Sequence, residues 1–177
     1  MSFFNYPFVF KEYEDELTAL ITSVLSRGAY ILQQELTTFE ANLANYLSVK
    51  HAIGVSDGTN ALKVALLAAD NGPGSEVFVP SHTYVASVAA IHYVGASPVL
   101  VECGEDHLID PARVVAAITP NTRAIMPVQL NGRTADMESL RSIADTNDLI
   151  IVEDAAPSSW IQIQRYISRR FWHGGYL

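Results

Sequence analysis

Cysteine is almost missing from this sequence: Cys103 stands alone among 177 residues. One thiol makes no internal disulfide, so the fold must rest on its apolar core, and the expected compartment is reducing, the cytoplasm by default. Long apolar runs are missing too. No stretch of about eighteen apolar residues occurs, so no membrane-spanning helix is predicted, and Met1–Lys11 lacks the basic, apolar and small-residue order of a secretory leader. Charged residues are scarce at 17%, and their balance is acidic, formally −8. Without clustered Lys and Arg, neither nucleic acid nor an anionic membrane surface is an expected partner. Acidic residues vanish altogether from 157–177, a segment that holds Arg165, Arg169 and Arg170 and both tryptophans, Trp160 and Trp172. So abrupt a break in composition marks a change near Pro157. Lysine is the last scarcity: Lys11, Lys50 and Lys63 are all there are.

What is present is enough apolar side chain, 49% of residues, to bury a core. Leu17, Leu20, Ile21, Val24 and Leu25 recur at helical spacing and predict a helix over 12–26, ended by Gly28. Leu36, Phe39, Leu43 and Leu47 predict another over 35–47. The rhythm then changes. His51–Ser56, Glu76–Pro80, Pro98–Glu102, Ala124–Val128 and Leu149–Glu153 read as strands, with helices near 59–69, 83–93, 111–117 and 137–146 between them. Strands apolar on both faces and separated by helices predict an α/β fold: a mainly parallel sheet with helices on both faces.

In such sheets ligands bind beyond the carboxyl ends of the strands. Gly58, Thr59 and Asn60 follow the first strand and open a helix, whose unpaired N–H groups and dipole would seat a phosphate. Taken alone, the same residues also serve any strand–helix turn and cap. The G-x-G-x-x-G dinucleotide fingerprint is absent, which argues against a Rossmann oxidoreductase. Tyr84, after the second strand, could stack on a flat ring or pack on the sheet. Asp154, after the very apolar Leu149–Val152, could hold a protonated ring nitrogen or cap a turn.

In order along the chain, Gly28-Ala29-Tyr30-Ile31, Gly58-Thr59-Asn60-Ala61-Leu62, Val79-Pro80-Ser81-His82-Thr83-Tyr84-Val85-Ala86-Ser87, Gly95-Ala96-Ser97-Pro98-Val99, Thr119-Pro120-Asn121-Thr122-Arg123 and Glu153-Asp154-Ala155-Ala156 resemble the DegT/DnrJ family of sugar aminotransferases. The resemblance covers about residues 10–156. It implies the large domain of a type I pyridoxal-phosphate enzyme, incomplete here. It further implies pyridoxal 5'-phosphate as cofactor, its phosphate on Gly58, Thr59 and Asn60, Tyr84 over the ring and Asp154 on the ring nitrogen. The partners it implies are a nucleotide-linked keto sugar, glutamate as amino donor, and a second subunit. In the implied seven-stranded sheet the first strand is held by the seventh, while the other four strands predicted here pair among themselves.

Three departures qualify the resemblance. Gln129 stands where the family usually has His, and Pro157 where it has Gln. The family's Schiff-base lysine follows the Glu-Asp-Ala-Ala segment, whereas Lys11, Lys50 and Lys63 all precede it, so no catalytic residue is assigned. The expected organisation is residues 1–156 as the N-terminal part of the large domain and 157–177 as an aberrant segment. A one-nucleotide change of frame accounts for that segment: tryptophan has the single codon TGG, and reading one base later turns both Trp160 and Trp172 into glycine. Two functional classes follow: a truncated aminotransferase inactive by itself, or a non-catalytic protein that binds cofactor or sugar nucleotide or docks on a full-length paralogue.

Overall fold

The computed structural model describes residues 5–156; the segment 157–177, expected to be aberrant, lies outside them, as does Pro157. The chain divides into two compact units after Gly54. The first holds three helices, α1 (Tyr6–Glu12), α2 (Glu14–Ser26) and α3 (Gln34–Tyr46). The predicted helices over 12–26 and 35–47 are α2 and α3. Gly28, at φ +67, lies just past α2. There the Ala29 and Gly28 N–H groups return to Val24 O and Leu25 O and close a Schellman motif. Helix α1 was not anticipated, although Asn5 capping the Phe8 N–H, with Pro7 in the first turn, is a start signal. The apolar stripes of α2 and α3 do not become buried faces: no residue of α1, α2 or α3 is buried.

The predicted strand His51–Ser56 is not a strand. A strand exists through its ladder, and among the described residues none runs beside this segment. Glu40 Oε1 accepts the Gly54 N–H at 2.7 Å instead. Ile53 and Val55 stay exposed. A Cβ at Gly54 would stand 2.5 Å from Leu36 Cδ1, so a larger residue there would push the Leu36 side chain aside.

The second unit is built on four parallel strands, β1 (Glu76–Pro80), β2 (Ser97–Val101), β3 (Thr122–Ile125) and β4 (Ile150–Ile151), in the order β2-β1-β3-β4. Strand β3 begins two residues before the predicted Ala124 and stops before Pro127, which has no N–H to give the ladder. Helix α4 (Gly58–Ala68) precedes β1, and α5 (Val85–Tyr93), α6 (Pro111–Ala117) and α7 (Met137–Asn147) connect the strands.

The period of two along each strand separates the cores. Val77, Val79, Ala124, Met126, Ile150 and Val152 pack with Leu62 and Leu66 of α4 and Ala90 and Ile91 of α5. Phe78, Ile125 and Ile151 point the other way, to Val114 of α6 and Leu140 and Ala144 of α7. The sheet is therefore covered on both faces, as expected. At the start of α7 the Asp136 carboxylate accepts the Ser139 N–H at 3.0 Å and the Ser139 hydroxyl at 2.7 Å. Those bonds, the backbone one foremost, hold the Asp136 carboxyl below its ordinary value. Its stabilisation is therefore full above the ordinary carboxylate range and lost as pH falls through the depressed value. Asp136→Ala should cost about 1 kcal/mol near neutral pH, read by urea unfolding, and markedly less at the acid end.

Candidate active site

Asp154 follows Val152 by two residues and so keeps the side of the sheet that carries α4 and α5. Its backbone is pinned on both sides: its N–H donates to Pro127 O at 2.9 Å, and its carbonyl accepts the Gln129 N–H at 3.0 Å. The carboxylate is pinned too. Oδ2 accepts the Ser87 hydroxyl at 2.9 Å, and Oδ1 accepts the Ala156 N–H at 3.3 Å. Ser87, in the first turn of α5, is 1% exposed, and its Oγ lies 3.0 Å from Thr83 Oγ1. Between Thr83 and the helix stands Tyr84, the N-cap residue of α5, with no side-chain capping bond. Tyr84 is 76% exposed. It does not pack on the sheet, and its ring is free to stack on something flat.

Gly58, Thr59 and Asn60 form the first turn of α4, behind Asp57 as N-cap. Nothing lies within 4 Å of where a Gly58 Cβ would stand, so the backbone of the turn can be approached closely. The turn also has an occupant that sequence reading missed. The Asp57 carboxylate accepts the Asn60 N–H at 2.9 Å, the Ser56 hydroxyl at 3.0 Å and the Asn60 amide at 2.9 Å. The Asn60 N–H above all, then the Ser56 hydroxyl, hold the Asp57 carboxyl below its ordinary value. It is therefore ionised at neutral pH and takes for itself one of the N–H groups a phosphate would use. Asp57 was visible in the sequence as an N-cap residue type before a glycine turn. Lys63, one turn on, donates to Asn60 Oδ1 at 3.1 Å and lies 5.3 Å from the Tyr93 ring centroid.

On the opposite side of the sheet a second polar network ties the same strand ends. Gln129 is fully buried. Its Oε1 accepts the Ala135 N–H at 2.7 Å, and its Nε2 donates to Glu153 Oε1 at 2.9 Å. The sequence marked Gln129 only as a departure. Its burial and its partner Glu153 depend on which strands are neighbours, which local pattern does not show.

Of the expected site residues, the structure thus connects Asp154 to the segment bearing Tyr84, through Ser87 and Thr83. The side-chain hydrogen bonds of Gly58, Thr59 and Asn60 among the described residues stay within their own turn, with Ser56, Asp57 and Lys63. No hydrogen bond among the described residues joins that turn to Asp154.

The start of α4 is suited to an anion, and the Asp154 carboxylate is fixed just beyond β4 of a parallel α/β sheet. Residues 11–164 match the DegT/DnrJ/EryC1/StrS aminotransferase family, and the chain belongs to that family. The match runs past Ala156, to residue 164. The chain is 47% identical over 173 residues to the dTDP-3-amino-3,4,6-trideoxy-alpha-D-glucose transaminase of Streptomyces venezuelae, covering 97% of this chain and 45% of that protein. It is 40% identical over 146 residues to the UDP-2-acetamido-2-deoxy-3-oxo-D-glucuronate aminotransferase of Pseudomonas aeruginosa, covering 82% of this chain and 41% of the relative. Among solved structures it is similar to S. venezuelae DesV in complex with a ketimine intermediate, with a TM-score of 0.85 and 49% identity over 88% of this chain and 42% of that one. NtdA from Bacillus subtilis, solved with bound cofactor PMP, has a TM-score of 0.78 and 38% identity over 82% of this chain and 33% of its own. The chain spans less than half the length of these relatives. Its relatives are nucleotide-sugar transaminases, and pyridoxal phosphate is the cofactor of the family.

Proposed function

We propose that this chain carries the cofactor-binding part of a nucleotide-sugar aminotransferase, with glutamate as amino donor and a nucleotide-linked keto sugar as acceptor. The observation that carries the proposal is the Asp154 carboxylate, fixed at a strand end by backbone and side-chain bonds within a chain of this family. An ionised carboxylate only accepts hydrogen bonds, so it is matched to a protonated pyridine nitrogen and favours that protonated form. When bound, the cofactor supplies the electron sink that lets an amino group pass between an amino acid and a keto sugar. The residues of the site fit that group at its two ends. Asp154 would hold the ring nitrogen, and Tyr84, exposed at the head of α5, would cover a ring face. The open backbone at Gly58, with Thr59 and Asn60, would take the phosphate, with Asp57 as a competing anion at the same helix start. A second subunit and a cytoplasmic location belong to the same proposal.

The test uses pyridoxamine 5'-phosphate, whose amine cannot condense with a protein lysine. Asp154→Ala should weaken its binding to the 177-residue chain about thirtyfold, the loss expected for a hydrogen bond to a charged group. Equal affinity in the variant, measured by equilibrium dialysis, would remove Asp154 from the site.

A further inference from the structure

The Asp154 carboxylate is held from below by a chain of two hydroxyls whose direction the chemistry fixes. An ionised carboxylate has no proton, so the 2.9 Å contact to Ser87 Oγ is made with the serine proton. A serine hydroxyl has only one. The 3.0 Å contact between Ser87 Oγ and Thr83 Oγ1 is therefore donated by Thr83, and the bonds run Thr83 to Ser87 to Asp154. Ser87 is 1% exposed, so water does not substitute for either partner. The two hydroxyls are four residues apart, just before α5 and in its first turn, and Tyr84 lies between them. One hydroxyl chain thus ties the carboxylate end of the site to the segment carrying its aromatic.

We propose that Thr83 and Ser87 are positioning residues for the Asp154 carboxylate. They fix Oδ2 by the oriented Thr83–Ser87 relay and leave Oδ1, which among the described residues accepts the long 3.3 Å bond from Ala156 N–H, as the oxygen that addresses a protonated ring nitrogen. This rests on the reading of Asp154 given above. The relay acts on one atom of the ligand and not on the ligand as a whole. Its loss must therefore appear as lost discrimination at the ring nitrogen, whereas a purely structural serine would affect every ligand alike.

The experiment compares two probes on the 177-residue chain: pyridoxamine 5'-phosphate and its 1-deaza analogue, in which carbon replaces the ring nitrogen. The unaltered chain should prefer the nitrogen-bearing probe. Ser87→Ala should lose about fivefold in affinity for it and nothing resolvable for the deaza analogue, a part of what the charged bond itself is worth. Ser87→Thr, which keeps the hydroxyl, should restore most of the preference, and Thr83→Val should lose about twofold, the bond it removes being one step further from the ligand. Far-UV circular dichroism of each variant verifies its fold, and Thr83→Val carries the test if Ser87→Ala does not fold. A parallel loss for both probes, or no loss for either, overturns the relay while leaving Asp154 in the site. An unaltered chain that binds both probes equally overturns the reading of Asp154, and the relay with it.

Discussion

Incubated with pyridoxal 5'-phosphate and L-glutamate, the polypeptide Met1–Leu177 should form no 2-oxoglutarate above the rate of free cofactor. The reason is the lysine inventory. Amino transfer in this family runs through a lysine amine that both holds the cofactor and moves the substrate proton, and the resemblance places it after Glu153-Asp154-Ala155-Ala156. Lys11, Lys50 and Lys63 all precede that segment. Lys63 is nearest in sequence to the Gly58–Asn60 turn, but its Nζ is bonded to Asn60 Oδ1 and lies over the Tyr93 ring, which holds it against α4. Borohydride reduction of the mixture should accordingly leave no stoichiometric pyridoxyl label on any of the three. Turnover that survives repurification, or a single lysine labelled to completion, would show that one of them serves as the amine and that the site is misplaced.

The sheet was legible because its signals are local and redundant. Val77-Phe78-Val79 and Leu149–Val152 are apolar at every position, as strands covered on both faces must be, and the helices between them show their own period. What was not legible depends on neighbours. His51–Ser56 has the composition of a strand but no strand beside it among the described residues, and composition alone makes no ladder. Pro127 shortened β3 through its missing donor, a signal present in the sequence and passed over.

The site divides in the same way. Asp154 could be placed at a strand end from its apolar run, and Tyr84 from the helix that follows it. Ser87 could not be connected to Asp154, because the two are 67 residues apart and meet only through the order of the strands and the seat of α5. A buried hydroxyl in the apolar helix Val85–Tyr93, four residues after another hydroxyl, was the available clue.

Gln129→Leu should lower the stability of the chain by about 2–4 kcal/mol, the cost of leaving two buried or half-buried polar groups unpaired. The side chain is fully buried, and leucine is about one methylene larger and branched, so the loss combines the hydrogen bonds with a repacking cost. With leucine in place, the Ala135 N–H loses its acceptor at 2.7 Å and the Glu153 carboxylate loses its donor at 2.9 Å. Against a typical domain stability of about 5–15 kcal/mol, that is a large share of the total. A double-mutant cycle with Glu153→Ala separates the two bonds: the coupling energy reports the Gln129–Glu153 bond, and the remainder the Ala135 bond and residual packing. The consequence reaches the site. Gln129 and Glu153 clamp the carboxyl ends of β3 and β4 from the α7 side, one residue before Asp154 turns to the α5 side, where Ser87 receives it. Loosening the clamp frees the backbone that aims Asp154, so Gln129→Leu should also weaken pyridoxamine 5'-phosphate binding, although its side chain lies on the opposite face of the sheet. A stability change below about 0.5 kcal/mol, the scale of ordinary surface substitutions, would show that the amide's bonds are replaced when it is removed, and that Asp154 is aimed without the Gln129 side chain.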